Sequence, residues 1–323
     1  MTLLLNEGEV RALANMPMAL EAVEESFRRL AAGKSILHMR QRIHFPDSAF
    51  LHYMAAGDSE GGYLGLKIYT TVRGAYRFLV PLYRARTGEL VALIEADYLG
   101  QLRTGAASGV ATKYLARTDS RTLGIIGTGL QARTQVEAIR RVRPIERVRC
   151  FGRNPEKRAQ FAAEMSERLG IPVEAAASGE QAVRDADIVV AATTAVAPVI
   201  LGRWLAPGMH INAIGANFPQ KRELDDDAVA RAHLIAVDSR EQSRQEAGDL
   251  IQAFGGDEAR WAATVELADI VAGKAAGRTT PEQITLFKSN GIAIWDVALA
   301  ARVFERAQEE QVGTRIPLWG HCG

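Results

Sequence analysis

Cysteine is nearly absent: the 323 residues hold two, Cys150 and Cys322, far apart in the chain. That excludes a disulfide framework and suits a reducing compartment. Cys150 falls in an expected core strand, where a free thiol behaves as a small apolar residue. Cys322 falls with His321 in the tail. An excess of one charge is missing too. Lys and Arg total 39 against 38 Asp and Glu, a net charge of +1. Nothing in that balance favours nucleic acid or an acidic membrane surface as partner. Long hydrophobic runs are absent: no stretch approaches the roughly 20 residues of a membrane-spanning helix. Glu7, Glu9 and Arg11 interrupt the first eighteen residues, so they do not read as a secretory leader. There is no internal repeat and no low-complexity segment. What remains is a cytoplasmic globular chain, 47% hydrophobic, long enough for about two domains.

What is present centres on Thr122-Leu-Gly-Ile-Ile-Gly-Thr-Gly-Leu-Gln-Ala132. It reads as a buried strand, a glycine turn and a helix. Gly127, Gly129 and Ala132 form a G-x-G-x-x-A dinucleotide fingerprint. Gly127 permits a tight turn, Gly129 a close backbone approach to a diphosphate, and Ala132 a close helix–strand contact. The free N–H groups of the following helix then face the phosphates. A cofactor with a free 2′-hydroxyl usually meets an acidic residue some 20 positions on. Gly152-Arg153-Asn154 stands there instead. A guanidinium can pair with a 2′-phosphate, so NADP(H) is the expected cofactor and NAD(H) the alternative.

In chain order, Asn6 with Glu9 forms a capping box for a first helix. A second runs from about Pro17, with Leu20, Val23, Phe27 and Leu30 on its apolar face, to Gly33. The period then changes to two. Arg40–Phe45, Phe50–Ala55, Tyr63–Thr70, Phe78–Arg84 and Leu90–Glu95 read as strands, which implies a separate α+β domain. A helix rich in small residues spans about Asp97 to Ala116, and Arg117–Arg121 reads as a linker. From Thr122 strands alternate with helices. Leu123–Ile126, Val148–Phe151, Ile188–Ala192, Ile211–Ile214 and Leu234–Val237 are short apolar runs, as buried parallel strands should be. A helix opens at Asn154-Pro155 and ends near Gly170. A last helix is expected from Leu286 to Gln308. The fold class is thus α/β: a doubly wound Rossmann sheet over 119–296, and an α+β domain over 1–118 completed by 297–323.

Some residues invite chemistry and some resist it. Lys67 lies on an expected strand beside apolar neighbours. It either snorkels or sits partly buried, with a lowered pKa suited to proton transfer. Arg42 and Arg103, taken alone, read as surface or ion-paired arginines, although small residues crowd Arg103. His38, His44 and His52 match no metal-ligand spacing and no cysteine is near, so no metal is expected; His44 remains a candidate for lining a pocket. Asp225-Asp-Asp227 reads as the acidic first turn of a helix. Arg140-Arg-Val-Arg143 reads as a solvated helix end.

The chain resembles the ornithine cyclodeaminase/μ-crystallin family of NAD(P)-dependent oxidoreductases along nearly its whole length. The carriers are Arg40-Gln-Arg-Ile-His-Phe-Pro-Asp47, Leu64-Gly-Leu-Lys67, and Leu102-Arg-Thr-Gly-Ala-Ala-Ser108 continuing to Arg117. Ile125–Ala132, Ala191-Ala-Thr-Thr194, Asn212-Ala-Ile-Gly-Ala-Asn217, Lys221-Arg-Glu-Leu224 and Leu286-Phe-Lys-Ser289 follow. The resemblance implies a homodimer whose first domain pairs with its copy and holds substrate, while the second holds the nicotinamide cofactor. It implies that Arg42 and Arg103 hold the carboxylate of an imino or amino acid, with Lys67 near the reacting carbon or serving as proton donor. Thr128, Gly129, Leu130 and Gln131 match its diphosphate loop, and Thr193 and Ser289 its nicotinamide end. One position departs. Ornithine cyclodeaminases carry an aspartate where this chain has Asn217, and an amide cannot serve as carboxylate base or counter-ion. The expected activity is therefore NADPH-dependent reduction of a cyclic ketimine. An ornithine or lysine cyclodeaminase, an alanine-type dehydrogenase and a non-catalytic NADP(H)-dependent binding protein are the alternatives.

Overall fold

A computed structural model describes residues 1–46 and 49–318. Asp47, His321 and Cys322, singled out above, lie outside the described residues. The chain begins with β1 (Thr2–Leu5), α1 (Glu7–Leu13), α2 (Met16–Ala31), β2 (Ser35–Phe45), β3 (Ala49–Asp58), β4 (Tyr63–Val72), β5 (Ala75–Arg84), β6 (Leu90–Glu95) and α3 (Asp97–Leu115). Next come β7 (Thr122–Ile126), α4 (Leu130–Val142), β8 (Arg147–Phe151), α5 (Pro155–Leu169), β9 (Val173–Ala175), α6 (Gly179–Val183), β10 (Ile188–Ala191), β11 (His210–Ala213) and α7 (Asp226–Arg231). After these come β12 (Leu234–Val237), α8 (Arg240–Glu246), α9 (Gly248–Phe254), α10 (Glu258–Ala262), β13 (Val265–Glu266), α11 (Leu267–Val271) and β14 (Thr285–Lys288). The chain closes with α12 (Ala293–Glu309) and β15 (Thr314–Ile316). Two compact units result: Met1–Arg103 with Gly291–Gly323, and Thr104–Asn290. The division falls inside α3, not at the 118/119 linker expected from the polar run. That run is a turn within the second unit, where Arg117 pairs with Asp187 and Arg143 binds the Arg117 carbonyl at 2.7 Å.

The first unit is a seven-stranded sheet in the order β15-β1-β6-β5-β4-β3-β2. All its pairings are antiparallel except β1 with β6. Local chemistry sets its helices. Asn6 and Glu9 form the expected capping box, and Asn15 caps α2 through Met18 N at 3.0 Å. Met16, Ala19, Val23 and Phe27 recur at helical spacing and are buried. Phe27 meets Trp295 of α12 edge-on at 5.4 Å. Period two places His52, Met54, Lys67 and Tyr69 on the buried face. The register Met54↔Lys67 and His52↔Tyr69 lines them up across strands. The opposite face leaves Ile43, Leu51, Tyr53 and Leu64 exposed. β2 begins five residues before its expected start. A register shift between His38 and Gln41 breaks the alternation that marks a strand.

The second unit is an eight-stranded, wholly parallel sheet in the order β13-β12-β14-β11-β10-β7-β8-β9. Two hydrophobic clusters pack against it. From β7 the chain winds one way to β8 and β9, then returns to start β10 on the other side. That makes β7/β10 the switch point of a doubly wound sheet, where such folds bind ligands. Asn154 caps α5 and Gly170 ends it at φ +65°. Asp225 caps α7, with Asp226 and Asp227 in its first turn. Cys150 is buried in β8, and burial pushes its thiol up to about 11.

One expected element is corrected. Leu286 does not open the last helix. Thr285–Lys288 is a fully buried strand between β11 and β12, and α12 starts only at Ala293. A strand buried on both faces is a continuous apolar run, which periodicity alone cannot tell from buried helix. Gly291, at φ +81°, separates the two.

Candidate functional site

In the second unit the glycine loop leaves β7 at the switch point. Gly127 takes φ +111°, and a Cβ there would collide with the Ala192 carbonyl. Its N–H donates to Phe151 O at 2.8 Å. Gly129 is the N-cap of α4 and no side chain caps the helix. A Cβ on Gly129 would meet nothing within 4 Å. The free N–H groups of a 13-residue helix therefore face open space. Ala132 is buried where α4 meets the sheet. Thr128 and Gln131 are half-buried and Leu130 is exposed. Arg133 braces the loop, donating to Gly129 O at 3.0 Å while held by Glu164. An uncapped helix, an open Gly129 and a positive-φ Gly127 fit a dinucleotide diphosphate. Arg153 and Asn154 follow β8 and are exposed. The Asn154 side chain is occupied as a cap, accepting Lys157 N at 2.9 Å.

The carboxyl ends of β10, β11 and β14 carry the other expected cofactor-side residues. Thr193 N and Oγ1 both donate to Glu223 Oε1 at 2.7 Å. Ser289 Oγ donates to Asp238 Oδ2 at 3.0 Å. Asn217 is half-buried, four residues past β11.

In the first unit, Lys67 and Arg103 converge on one carboxylate. Lys67 Nζ lies 2.7 Å and Arg103 Nε 3.1 Å from Asp296 Oδ1, and all three side chains are buried. Lys67 comes from β4, Arg103 from α3 and Asp296 from the first turn of α12. Gly100 of α3 makes room, since a Cβ there would stand 3.1 Å from Lys67 Nζ. Gly291 does the same for Arg103 at 2.8 Å. Burial, then the Arg103 charge, lower the Lys67 pKa to about 8, against the pull of Asp296. Arg40 adds a further cation, buried, donating to Gly291 O at 3.2 Å. Arg42 is half-buried, opposite His52 in the β2–β3 register. Burial, with Arg42 and Arg40 nearby, lowers His52 to about 4, so it is neutral and stacks on Tyr69 at 4.3 Å. His44 stacks on Phe50 at 4.6 Å. Among the described residues no group of three His, Cys, Asp or Glu could hold a metal ion, and no helix is long and apolar enough to cross a membrane.

The sequence pattern of the ornithine cyclodeaminase/mu-crystallin family matches residues 1–311. The chain belongs to that family. It is an NAD(P)-dependent oxidoreductase. Within the family it is similar to Delta(1)-pyrroline-2-carboxylate reductase of Bacillus cereus, 38% identical over 323 residues, 97% of this chain and 99% of the relative. Alanine dehydrogenase of Archaeoglobus fulgidus is 36% identical over 326 residues, 98% of this chain and 99% of that one. The solved Thermococcus litoralis Delta(1)-pyrroline-2-carboxylate reductase, in complex with NADH and L-proline, superposes with a TM-score of 0.93. It is 38% identical, covering 98% of this chain and 100% of that one.

Four side chains of this family member escaped the sequence reading. Asp296 carried no signal, being 229 residues from the lysine it holds. Arg40 sits in the same motif as Arg42, but the register shift beside it hid which face it takes. Arg133 lies one residue beyond the fingerprint. Glu223 sits within a recognised motif that suggested no role.

Proposed function

We propose that the protein reduces a cyclic ketimine of the Δ1-pyrroline-2-carboxylate or Δ1-piperideine-2-carboxylate type to the L-amino acid, with NADPH preferred over NADH. The observation that carries the reading is the Lys67–Asp296–Arg103 cluster. Two buried cations share one carboxylate oxygen, so the cluster holds surplus positive charge in a low-dielectric place. Such charge calls for an anionic partner, and a substrate carboxylate supplies one. Arg103 with Arg42 orients that carboxylate, which fixes the adjacent C=N carbon. Lys67, protonated below about pH 8, donates a hydrogen bond or a proton to the imine nitrogen and makes that carbon electrophilic. The nicotinamide cofactor, when bound, supplies the hydride that converts C=N to CH–NH. Gly127 to Ala132 would hold its diphosphate. Arg153 would face the 2′-phosphate, and Thr193 and Ser289 the nicotinamide end. Asn217 can orient a nitrogen or a water but cannot act as a carboxylate base, which disfavours ornithine cyclodeamination. Similarity to the archaeal alanine dehydrogenase at 36% identity favours a second reading, reductive amination of a 2-oxo acid, by the same hydride step. The exposed Ile43–Leu51–Tyr53–Leu64 face supports a homodimer, and the cysteine usage a cytoplasmic setting.

The test is NADPH and NADH oxidation across both cyclic imino acids and a panel of 2-oxo acids with amines, with L-ornithine run in parallel. Cyclic imines should turn over fastest. Failure of every imine alongside turnover of pyruvate with ammonia would transfer the assignment to the second reading.

A further inference from the structure

Glu223 is fully buried, and the mechanism above does not use it. Its carboxylate accepts three hydrogen bonds from two separate loops. Oε1 takes Thr193 N and Thr193 Oγ1, and Oε2 takes Gly215 N at 2.6 Å. Thr193 follows β10 and Gly215 follows β11, which are adjacent in the sheet. The two loops touch: a Cβ on Gly215 would collide with the Thr193 carbonyl. Glu223 is fixed in turn. Asp249 Oδ1 accepts the backbone N–H of Glu223 at 2.6 Å and of Leu224 at 2.9 Å. Asp249 pairs with Lys288, the last residue of β14, at 2.9 Å with both side chains buried. Lys288 Nζ also donates to Ala216 O at 2.7 Å.

One buried charge cluster thus ties together the carboxyl ends of three neighbouring strands, β10, β11 and β14. Burying two carboxylates and an ammonium is a poor route to stability alone, since apolar groups of similar volume commonly serve as well or better. A network of hydrogen bonds and an ion pair of this kind fixes geometry. The place it fixes is the crevice beyond the strand ends, where doubly wound sheets hold their ligands. Thr193 is the expected neighbour of the nicotinamide.

We infer that Glu223 is a positioning residue for the nicotinamide half of the cofactor, clamping the Thr193 and Gly215 loops into one rigid wall and leaving the diphosphate loop to hold the other half. The inference rests on the reading of Thr193 as the nicotinamide-side residue. Burial raises the Glu223 pKa while Lys288 pulls it down. The three donors it faces can be met only by oxygen acceptors, so a side-chain amide in its place must turn an N–H toward one of them.

The test separates the two halves of the cofactor by calorimetric titration. The ligands are NADPH and NADH, and the fragments 2′-phospho-ADP-ribose and ADP-ribose, which lack the nicotinamide. In Glu223→Gln the dinucleotide Kd should rise about tenfold, as expected for about 1.4 kcal/mol of lost contact, while the fragment Kd stays within about twofold. Thr193→Val, which removes one donor and keeps the shape, should move the dinucleotide Kd in the same direction by less. It reads the same effect should Glu223→Gln not fold. Equal loss for dinucleotide and fragment would make Glu223 merely structural and overturn the inference, as would no loss for either. Failure of the native protein to bind any dinucleotide would instead overturn the cofactor reading on which it rests.

Discussion

Replacing Asp296 by Asn keeps the shape of the buried cluster and removes the negative charge that Lys67 and Arg103 share. Its Oδ1 stands 2.7 Å from Lys67 Nζ. At an effective dielectric constant of about 20 the attraction at that distance is of order 6 kcal/mol. If only half of it is felt, about 3 kcal/mol, the lysine loses its proton about two pH units lower, at 1.36 kcal/mol per unit. Lys67 in the native protein gives up its proton near pH 8, since burial and Arg103 disfavour the charged form and Asp296 favours it. In the variant that point falls to about 6 or below. In the proposed mechanism the protonated form is the one that hydrogen-bonds or protonates the imine. Its population at pH 7 therefore drops from about nine-tenths to about one-tenth. The assay is kcat/KM for the cyclic imine from pH 5 to 10. The native enzyme should lose activity above about pH 8. Asp296→Asn should be about tenfold slower at pH 7 and recover toward pH 5. Comparing the two proteins on one substrate cancels the titration of the imine itself. An alkaline break that stays near pH 8 in the variant would refute the reasoning.

Three further outcomes are expected. Arg153→Ala should raise KM for NADPH about 10- to 100-fold, the worth of a charge-assisted contact of about 1.5–3 kcal/mol, and leave KM for NADH unchanged; parallel changes would show that Arg153 does not face the 2′-phosphate. Gly127→Ala places a Cβ at φ +111° against the Ala192 carbonyl. It should cost about 1–3 kcal/mol, lower Tm and abolish dinucleotide binding by titration, and native-like binding would contradict the role given to that turn. Ile43→Asp with Tyr53→Asp, on the exposed sheet face, should convert a dimer to monomers in light scattering while preserving the circular dichroism spectrum; a native protein already monomeric would end the dimer proposal.

Legibility in the sequence followed the range of the interactions. Thr122–Ala132 could be read because strand, turn and helix signals are all local, and so could α5, with Asn154 and Pro155 at one end and Gly170 at the other. Lys67 could be read as a strand lysine with unusual neighbours. The charges that set its pKa could not be, because Arg103, which lowers it, and Asp296, which raises it, reach it only through tertiary packing. Thr285–Lys288 misled because a strand covered on both faces shows no alternation. The division inside α3 was hidden because an unbroken helix carries no linker signal. Glu223 and Asp249 were invisible as a pair: each looks like an ordinary loop or helix acid until the fold buries it.

The first unit is not one stretch of chain. Its Lys67 and Arg103 are made early, and Asp296 follows only after the whole of Thr104–Asn290. On a ribosome the second unit, which is continuous, can close first, whereas the first waits with two cations lacking their shared carboxylate. Strand β1 likewise waits for β15, its edge neighbour. This topology runs against the usual order of vectorial folding, amino-terminal domain first, because the amino-terminal unit is the discontinuous one. The first unit cannot be completed until α12 and β15 have left the exit tunnel, so no product that stops short of them carries a finished Lys67–Asp296–Arg103 cluster.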